Sequence, residues 1–577
     1  MNSRVSHSTH FESPVTGLVM GAIFFFTVFG YRIVIPTNID WLTSGDLAQH
    51  FSGWNFFRYE AWHFPIGRIE GFGTPDGSSI VFTDSIPIMS IGFKLFRSVL
   101  PQPFQFIGLW LLTCYLLQGF FGWLLASLVT NKAYPRILIT CFFLLSPPML
   151  FRATGHEALT AHWLILAALY LSVQSALSFE LRHPRLSWLK CWTALVLLSG
   201  LVHLYLCFMV VLLYLGACTS RIFSMTHWKV RTFLALLTPL LALFPVLYME
   251  GAFVVSTANW AGGSGDFNYF SMNLLAPFAP GYTGSPQGTS YDSLFVSPVA
   301  LAAGGQYEGN NYLGFGVLLL LFLTLVGRLI SIFGCPNRGR QSNVFDRRLI
   351  QVWLPLSMVT LVLTMIAASN HVSLGKTVLF TIPLSSSMLR YCEIFRSSGR
   401  FFWPTYYLIL WMTIRSCRTL FSRNVAIFSG IVHAALTFQA VDLTQYLQHY
   451  ATIFHSVSAY KSPLQSSFWR RALTHYHNIL YFPPEDTSYY IPLGLESAPL
   501  QVGINVAYKA RSDPKVVARE HRQIDGELNR GELRDGALYV FKDKDYFDRL
   551  KASMAGKTCL LREVDGFYVA GLVPVQF

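Results

Sequence analysis

Long uninterrupted apolar runs constrain the fold of this chain most. The run "GLVMGAIFFFTVFGYRIVI" begins at residue 17 and "YLGFGVLLLLFLTLVGRLI" begins at residue 312. Each approaches the roughly 20 residues that a helix needs to cross a bilayer. Such a run must be helical in lipid, because no water is present to satisfy its backbone groups. Only 13% of the residues are charged, against about 25% in soluble domains. The sequence therefore predicts an all-α polytopic membrane protein.

The apolar runs predict about eleven transmembrane helices. Their approximate spans are 17–34, 106–129, 135–150, 158–178, 188–202, 204–219, 231–250, 312–332, 350–368, 400–417 and 424–441. The first run is longer than the apolar core of a signal peptide and no cleavage site of the A-x-A type follows it, so we interpret it as an uncleaved signal anchor.

The connections between these spans differ in charge, and this difference predicts the topology. Short basic connections such as "LRHPRLSWLK" and "PNRGRQSNVFDRR" alternate with long ones that are poor in Lys and Arg. The positive-inside rule places the basic connections and the N-terminus in the cytoplasm. The loops at 35–105, 251–312 and 369–399 and the tail then face outward. The net charge of +13 follows from this topology and does not indicate a nucleic-acid partner.

The tail differs in pattern from the rest of the chain. It alternates strand-like runs, such as "ALYVFKD" and "TCLLREVDGFYVAGL", with a polar helix-like run near 514–527. This alternation predicts a small α/β domain on the outer side. We therefore divide the chain into a transmembrane domain, residues 1–441, and a C-terminal soluble domain, residues 442–577. In the first loop, "DLAQHFSGWNFFRYE" places Leu47, Phe51 and Trp54 on one face of a helix, which favours a helix lying in the membrane interface.

Two aspartates in the first outward loop are candidates for chemistry, because ionisable groups near lipid are costly and tend to be functional. Asp46 lies in "TSGDLAQHF" and Asp84 lies in "FTDSIPI". We interpret Asp46 as a general base. The structural alternatives are helix caps: Asp46 with Gln49 fits a capping box, and Asp84 fits the cap of a helix with Pro87 in its first turn.

His156 and Glu157, in "RATGHEALTAHW", form a second candidate site. The structural alternative is a capping box made by Thr154 and Glu157. His156 and His162 are six residues apart and so do not share a helix face. These two histidines alone therefore do not predict a metal site.

Two further candidates lie at the outer ends of predicted spans. Glu308 stands in "QYEGNNYLGFG" just before a span, and His203 stands in "GLVHLYL" at a tight turn. For His203, a structural role and a ligand-binding role both remain open.

Two arginines in "FRSSGRFFWP" are the last candidates. Arg396 and Arg400 are four residues apart and would share one face of a helix. They lie on the side where positive charge has no topological purpose, and two guanidinium groups there would suit a phosphate. The alternative is that both extend toward lipid headgroups.

These residues, in this order, resemble the GT-C superfamily of membrane glycosyltransferases. Asp46 matches the early acidic residue of the first outward loop, and "GHE" at 155–157 matches the position of the second site. The strings "GDLAQHFSGWNFFR", "FTDSIPI", "QYEGNNYLGFG" and "FRSSGRFFWP" look more specifically like an uncharacterised bacterial GT-C-like family. The first loop lacks the D-x-D form of the oligosaccharyltransferase branch, so metal dependence stays open.

The resemblance implies transfer of a sugar from a polyprenyl-phosphate donor to an acceptor hydroxyl on a glycan, lipid or protein. It also implies a location in the bacterial inner membrane, with the C-terminal domain in the periplasm. Asp46 would be the catalytic base. The substrate-binding residues would be Asp84, His156, Glu157, His203, Glu308, Arg396 and Arg400. A divalent ion, Mg or Mn, is the alternative source of charge for the leaving phosphate.

Two other classes of protein remain open. A transporter or flippase of lipid-linked glycans would also use outward arginines, but such proteins commonly have two related halves, and no internal repeat is visible in this sequence. In a non-catalytic membrane scaffold, the acidic residues would be caps only.

Overall fold

The computed structural model describes residues 13–177, 186–223, 230–254, 266–280, 282–283, 293–333, 347–455, 459–511, 514–554, 556 and 558–572. The chain divides into two compact units. The first, which we name the membrane unit, comprises residues 1–35, 108–243 and 261–456. The second, which we name the sheet unit, comprises residues 36–107, 244–260 and 457–577. The predicted boundary at residue 441 stays a prediction.

The chain is mostly helical. The helices are α1 (Val15–Phe29), α2 (Gly45–Tyr59), α3 (Pro87–Lys94), α4 (Ile107–Ser127), α5 (Ala133–Leu144), α6 (Pro147–Phe151), α7 (Trp163–Leu177), α8 (Leu186–Gly200), α9 (Leu204–Phe223), α10 (Val230–Met249), α11 (Asp266–Tyr269), α12 (Phe315–Phe333), α13 (Arg347–Ala368), α14 (Ser386–Cys392), α15 (Trp403–Leu420), α16 (Val425–Asp442), α17 (Thr444–His455), α18 (Phe468–Ala472), α19 (Tyr490–Ser497), α20 (Pro514–Arg530) and α21 (Lys544–Ser553).

The strands are short. They are β1 (Arg68–Ile69), β2 (Ser78–Ser79), β3 (Tyr282–Thr283), β4 (Val299–Ala300), β5 (His371–Leu374), β6 (Thr377–Thr381), β7 (Asn478–Phe482), β8 (Gly503–Ile504), β9 (Ala537–Phe541), β10 (Leu560–Val564) and β11 (Phe567–Gly571). The first six strands form two-stranded ladders in the loops, and the last five form one sheet.

The expected number of transmembrane helices is wrong. By length and composition, the described residues contain 4 helices that could cross a membrane, or up to 5 if α5 and the 147–154 segment, which meet at 41°, form one broken span. Four more apolar helices have fully described stretches of 10–17 residues, namely Val15–Phe29, Trp188–Gly200, Phe315–Ser331 and Trp353–Ala368. The sequence count was too high because apolar runs continue through turns: α1 ends at Phe29, where Gly30 adopts a positive φ of 71°. The apolar helices nevertheless indicate a helical membrane protein.

Glycines bring α1 and α4 into close contact in the membrane unit. A Cβ atom on Gly119 would lie 2.1 Å from the carbonyl oxygen of Gly17, and one on Gly21 would lie 2.2 Å from that of Tyr115. Gly17 and Gly21 have the spacing of the G-x-x-x-G motif, through which membrane helices approach each other closely. The sequence therefore specifies this helix pair by small residues rather than by large apolar ones.

A buried polar network joins other helices of the membrane unit. The hydroxyl of Tyr407 lies 2.8 Å from Nδ1 of His162 and 3.0 Å from the hydroxyl of Ser146. The side-chain amide of Gln118 donates to the same hydroxyl at 3.1 Å. Hydrogen bonds of this kind fix the positions of neighbouring helices where no water is available.

The sheet unit contains the α/β fold that the tail predicts. Its five strands have the order β10-β11-β9-β7-β8, in which β7 is parallel to both β8 and β9. The polar helix expected near 514–527 is α20, and the hairpin expected near the C-terminus is β10–β11. The secondary structure of the predicted small α/β domain is thus confirmed, and its location on the outer side stays a prediction.

Both faces of this sheet are covered. Leu480 and Phe482 of β7 form a buried core with Ile524 and Leu528 of α20 and with residues of α21. The alternate residues of β7 are buried on the opposite face, where the ring of Tyr481 lies 5.9 Å from that of Tyr489. All five residues of β9 are buried, as is typical of a strand covered on both faces.

A segment of the first loop extends the sheet. The N–H of Ile504 in β8 donates to the carbonyl of Gly71 at 2.8 Å, and the N–H groups of Gly73 and Thr74 donate to the carbonyl of Ile504. Residues 71–74 therefore occupy the outer edge of β8, and the loop and the tail share one hydrogen-bonded sheet.

Helix α2 corrects two expectations about the first loop. All residues from Leu47 to Arg58 are buried, so this helix has no polar face exposed as an interfacial helix requires. Its N-cap is Ser44, whose side chain makes no capping hydrogen bond, and Gln49 instead donates to the carbonyl of Phe82. The capping box proposed for Asp46 is therefore not formed.

Candidate functional site

Two arginines meet one carboxylate in the membrane unit. Nη2 of Arg152 lies 2.6 Å from Oε2 of Glu308, and Nη2 of Arg400 lies 2.7 Å from Oε1. Arg152 also donates to the carbonyl oxygen of Glu308. Nε2 of His156 lies 3.9 Å from Oε1. We name these four residues the Glu308 cluster.

Arg152, Glu308 and Arg400 are buried, His156 is half-buried, and the charges of the cluster determine the protonation of Glu308. Burial favours the neutral acid, but the positive charges of Arg152, Arg400 and His156 outweigh this effect and hold the pKa of the Glu308 carboxyl well below its usual range. Glu308 is therefore ionised at neutral pH, and it holds both guanidinium groups in fixed orientations.

The backbone around Glu308 is fixed by hydrogen bonds to the segment that contains Arg400. Glu308 lies in a 3-10 turn, Gln306–Gly309. The side-chain amide of Asn311 donates to the carbonyl of Gly399 at 2.9 Å, and the indole of Trp403 donates to the carbonyl of Gly309 at 2.9 Å. A Cβ atom on Gly309 would lie 2.8 Å from the oxygen of Gly399, so glycine permits this close approach.

Arg152 is the member of the cluster that the sequence analysis missed. It is buried in a 3-10 turn, Arg152–Thr154, directly after α6, and its guanidinium lies over the ring of Phe151 at 4.4 Å. It belongs to the same "FRATGHE" string as His156. A basic residue inside an otherwise apolar segment was the available signal.

The expected pairing of Arg396 with Arg400 on one helix face is wrong. Two 3-10 turns, Glu393–Phe395 and Ser398–Phe402, replace the continuous helix, and Ser397 between them has a ψ of 65°. Arg400 is buried against Glu308, whereas Arg396 is half-buried, with its guanidinium 5.8 Å from the centre of the Phe270 ring. Arg400 therefore shares the carboxylate of Glu308 with Arg152, a residue 248 positions earlier in the chain.

Glu157 and His203 take different positions. Glu157 is fully buried and is the first residue of a 3-10 turn. The residue in the N-cap position of this turn is His156, which has a φ of 62°, and not Thr154. The predicted capping box of Thr154 and Glu157 is therefore not formed. Nδ1 of His203 accepts the N–H of Tyr205 at 3.1 Å. The hydroxyl of Tyr205 in turn accepts the N–H of Ser397 at 2.9 Å. His203 thus orients the residue that holds the segment preceding Arg400.

Asp46 lies in the first turn of α2 in the sheet unit and is half-buried. The hydroxyl of Tyr508 approaches its Oδ1 at 3.4 Å. Burial raises the pKa of the neighbouring Tyr490, and the charges of Tyr508 and Asp46 add to this effect. Asp46 is therefore an accessible carboxylate beside two phenols, a setting in which a general base can accept a proton.

Asp84 and His50 form a second pair in the sheet unit. Oδ2 of Asp84 lies 3.8 Å from Nε2 of His50, and both residues are buried. Asp84 has a φ of 51°, which is uncommon for a residue with a side chain. Helix α3 has Pro87 in its first turn, as expected. Its N-cap residue is Ile86, so Asp84 does not cap this helix. Carboxylate and imidazole are ligand types that divalent cations accept.

The fold and these sites together define a class: helical membrane proteins that contain buried charged clusters and a covered α/β sheet. Within this class, the family model described as a domain of unknown function, DUF6311, matches residues 18–444. The model described as the DUF6311 C-terminal domain matches residues 468–573. The chain therefore belongs to the DUF6311 family.

A distant similarity to a solved structure is also present. No protein among those of curated function matches the chain. The chain is similar to the archaeal oligosaccharyltransferase AglB from Archaeoglobus fulgidus, solved in complex with an inhibitory peptide and a dolichol-phosphate. The identity is 11%, the match covers 95% of this chain and 72% of that chain, and the TM-score is 0.38.

Proposed function

We propose that this protein is a GT-C type membrane glycosyltransferase, which moves a sugar from a polyprenyl-phosphate-linked donor to an acceptor hydroxyl at the outer face of the membrane. The observation that carries the proposal is the Glu308 cluster, in which a single carboxylate orients two buried arginines. A phosphate leaving group needs stabilisation of its charge, and guanidinium groups held in place before the reaction supply it.

The cluster suits a phosphate better than it suits a structural role alone. Removing arginines from water is costly, and a buried ion pair rarely repays this cost in stability. Each guanidinium has five N–H donors in a planar fork. Glu308 contacts Nη2 of Arg152 and Nη2 of Arg400 and thereby orients both guanidinium groups. The positive charges of these two oriented groups would stabilise the donor phosphate, and the apolar helices of the same unit would accommodate the polyprenyl tail.

Asp46 is the proposed base for the acceptor. It would take the proton from the acceptor hydroxyl, whose oxygen attacks the anomeric carbon of the donor sugar. The bond from that carbon to the phosphate oxygen breaks, and the polyprenyl phosphate leaves with the electron pair. Arg396, His156, Glu157, His203 and Asp84 are proposed to contact substrate or to orient the residues that do. Asp84 with His50 would be ligands of a divalent ion if the reaction uses one.

A transfer assay on purified protein tests the proposal. The protein in nanodiscs is incubated with a radiolabelled polyprenyl-phosphate sugar and candidate acceptors, and sugar consumption is measured. We expect Asp46→Asn to abolish transfer, because it preserves size but cannot accept a proton, and to leave the melting temperature (Tm) nearly unchanged. Full activity of this variant would exclude Asp46 as the base.

The arginines are tested in the same assay. We expect Arg400→Lys to weaken donor binding partly and Arg400→Ala to weaken it severely, since lysine keeps the charge but loses the fork. The exposed arginine of α14, Arg390, provides the matched control Arg390→Ala. Lipid scrambling by the wild-type protein without sugar consumption would instead favour a flippase, and neither activity would favour a scaffold.

A further inference from the structure

A cavity of about 430 Å³ lies in the sheet unit, at the carboxyl ends of parallel strands. Its walls come from the loops that follow β7 and β8, from the first two turns of α20, and from residues 73–76 at the edge of β8. Small-molecule sites typically have volumes of about 300–1,000 Å³. The cavity therefore has the size of a small-ligand site.

The topology of the sheet places this cavity where α/β folds bind ligands. From β7 the chain crosses through α19 to β8 on one side, and from β8 it crosses through α20 to β9 on the other side of β7. The order in which the chain adds strands to the sheet thus reverses beside β7. In open α/β sheets, ligands bind in the crevice outside the carboxyl ends of the strands at such a reversal. The loops leave this crevice open because they run to opposite sides.

The charged side chains of the cavity largely balance one another. Glu520 pairs with Arg534 at 2.9 Å, and Glu485 pairs with His521 at 2.8 Å. Asp76 lies close enough to Lys509 to stabilise its charge, and Nζ of Lys509 donates to the carbonyl of Gly77 at 2.7 Å. Three carboxylates in the wall disfavour a phosphate or another anion, and the balanced charges do not favour a cation.

The remaining wall has the composition of a site for a hydroxyl-rich ligand. The hydroxyls of Thr74 and Thr487 can donate and accept, the carboxylate of Asp76 can accept from two hydroxyls, and Lys509 can donate. Pro75, Pro484 and Val516 add apolar surface. A sugar ring presents both hydroxyl groups at its edge and C–H groups on its faces, so it matches such a mixed wall.

We propose that this cavity binds a neutral sugar residue. Binding itself requires neither the donor nor transfer. The further assignment of the bound sugar as part of the acceptor rests on the proposed function.

Binding of an array of neutral glycans to the full-length protein tests the proposal. The protein is embedded in nanodiscs, because detergents with sugar headgroups would compete. We expect one or more neutral glycans to bind, and Asp76→Ala and Ala507→Phe to weaken this binding at least tenfold. Asp76 is exposed, and Ala507 lines the cavity, so that a phenyl ring there would fill it. Asp548→Ala, an exposed carboxylate of α21 that is not among the lining residues, is the matched control and should bind as the wild type does.

Three results would overturn the inference: no neutral glycan binds the wild type, the two cavity variants bind as well as the control, or inorganic phosphate displaces the glycan as well as the free sugar does. These results are distinguishable from failure of the proposed function. Loss of transfer with intact glycan binding removes the transferase, whereas transfer without glycan binding removes only this site.

Discussion

The Glu308 cluster makes a strong prediction about stability. Glu308→Gln removes one negative charge and leaves Arg152 and Arg400 facing each other. The two arginine side chains are only 2% and 5% exposed, so water cannot screen their repulsion. Glutamine keeps one carbonyl oxygen and can therefore satisfy only part of the hydrogen bonding. We expect this isosteric change to destabilise the membrane unit strongly.

The magnitude follows from the two short contacts at 2.6 and 2.7 Å. Charge centres about 4 Å apart attract by about 4 kcal/mol at an effective dielectric constant of 20. Repulsion between the guanidinium groups and the desolvation of all three charges offset part of the sum. Removal of one partner from a buried ion pair costs about 3–5 kcal/mol, and we expect Glu308→Gln to fall in this range.

A double-mutant cycle measures this effect. The Tm of the protein in nanodiscs is followed by tryptophan fluorescence for Glu308→Gln, Arg400→Met and the double variant. Because the double variant no longer has two facing cations, it should lose less stability than the sum of the single variants. Glu532→Gln is the matched control. The contact of Glu532 with Arg530 is also short, 2.8 Å, but both side chains are more than half exposed. Because an exposed ion pair contributes about 0–1 kcal/mol, this control should change the Tm little. A wild-type Tm for Glu308→Gln, or strictly additive single variants, would refute the electrostatic account of the cluster.

Two further predictions concern other parts of the chain. Gly119→Ala should lower the Tm, because the added Cβ would force α1 away from α4. Gly430→Ala is the control and should leave the Tm unchanged, because its added Cβ meets nothing within 4 Å. Equal effects of the two variants would show that the close contact of α1 with α4 is unimportant for stability. Lys94 supplies a pH dependence, because burial, aided by the charge of Arg97 and opposed by that of Glu60, lowers its pKa to about 8. Below pH 8 the folded protein must keep Lys94 charged, and this costs stability. From about pH 8 to the ordinary lysine pKa of 10.5, Lys94 is mostly neutral in the folded protein but still protonated in the unfolded chain. The free energy of unfolding should therefore rise with pH in this window, by at most about 3 kcal/mol at 1.36 kcal/mol per pH unit. The Tm of the wild type minus that of Lys94→Met should rise from pH 7.5 to 10.5, and a flat difference would contradict the assigned cause.

The tail was more predictable than the membrane helices. Strand β9 and the β10–β11 hairpin combine β-branched and aromatic residues with short flanking turns, and the amphipathic α20 is a clear helix. Hydropathy alone could not separate helices from apolar turns in the membrane unit. The break after Phe29 depends on the conformation of Gly30, and the bend after α5 depends on the residues that follow Leu144.

Most members of the candidate site were predictable from the sequence, but Arg152 and the contacts that join the members were not. Glu308 and Arg400 were identified because charged residues at membrane boundaries are unusual. The contact between Arg152 and Glu308 joins residues 156 positions apart, and that between Arg400 and Glu308 joins residues 92 positions apart. Such pairs depend on how helices pack. The spacing of Arg396 and Arg400 instead suggested a helix that the two 3-10 turns do not form.

The sharing of one sheet by the first loop and the tail bears on how Asp46 is positioned. Residues 71–74 bind to the edge of β8, and Tyr508, which approaches Asp46, follows that strand after a few residues. The side-chain amide of Asn55 in α2 also donates to the carbonyl of Gly494 in α19 at 3.4 Å. The tail thus contacts the helix that carries the proposed base, and it contains both phenols beside that base, Tyr490 and Tyr508. Removal of the tail would therefore disrupt the surroundings of Asp46 and would not merely delete a separate domain. The sugar cavity is formed by the same loop and the same strands, so it would be lost as well.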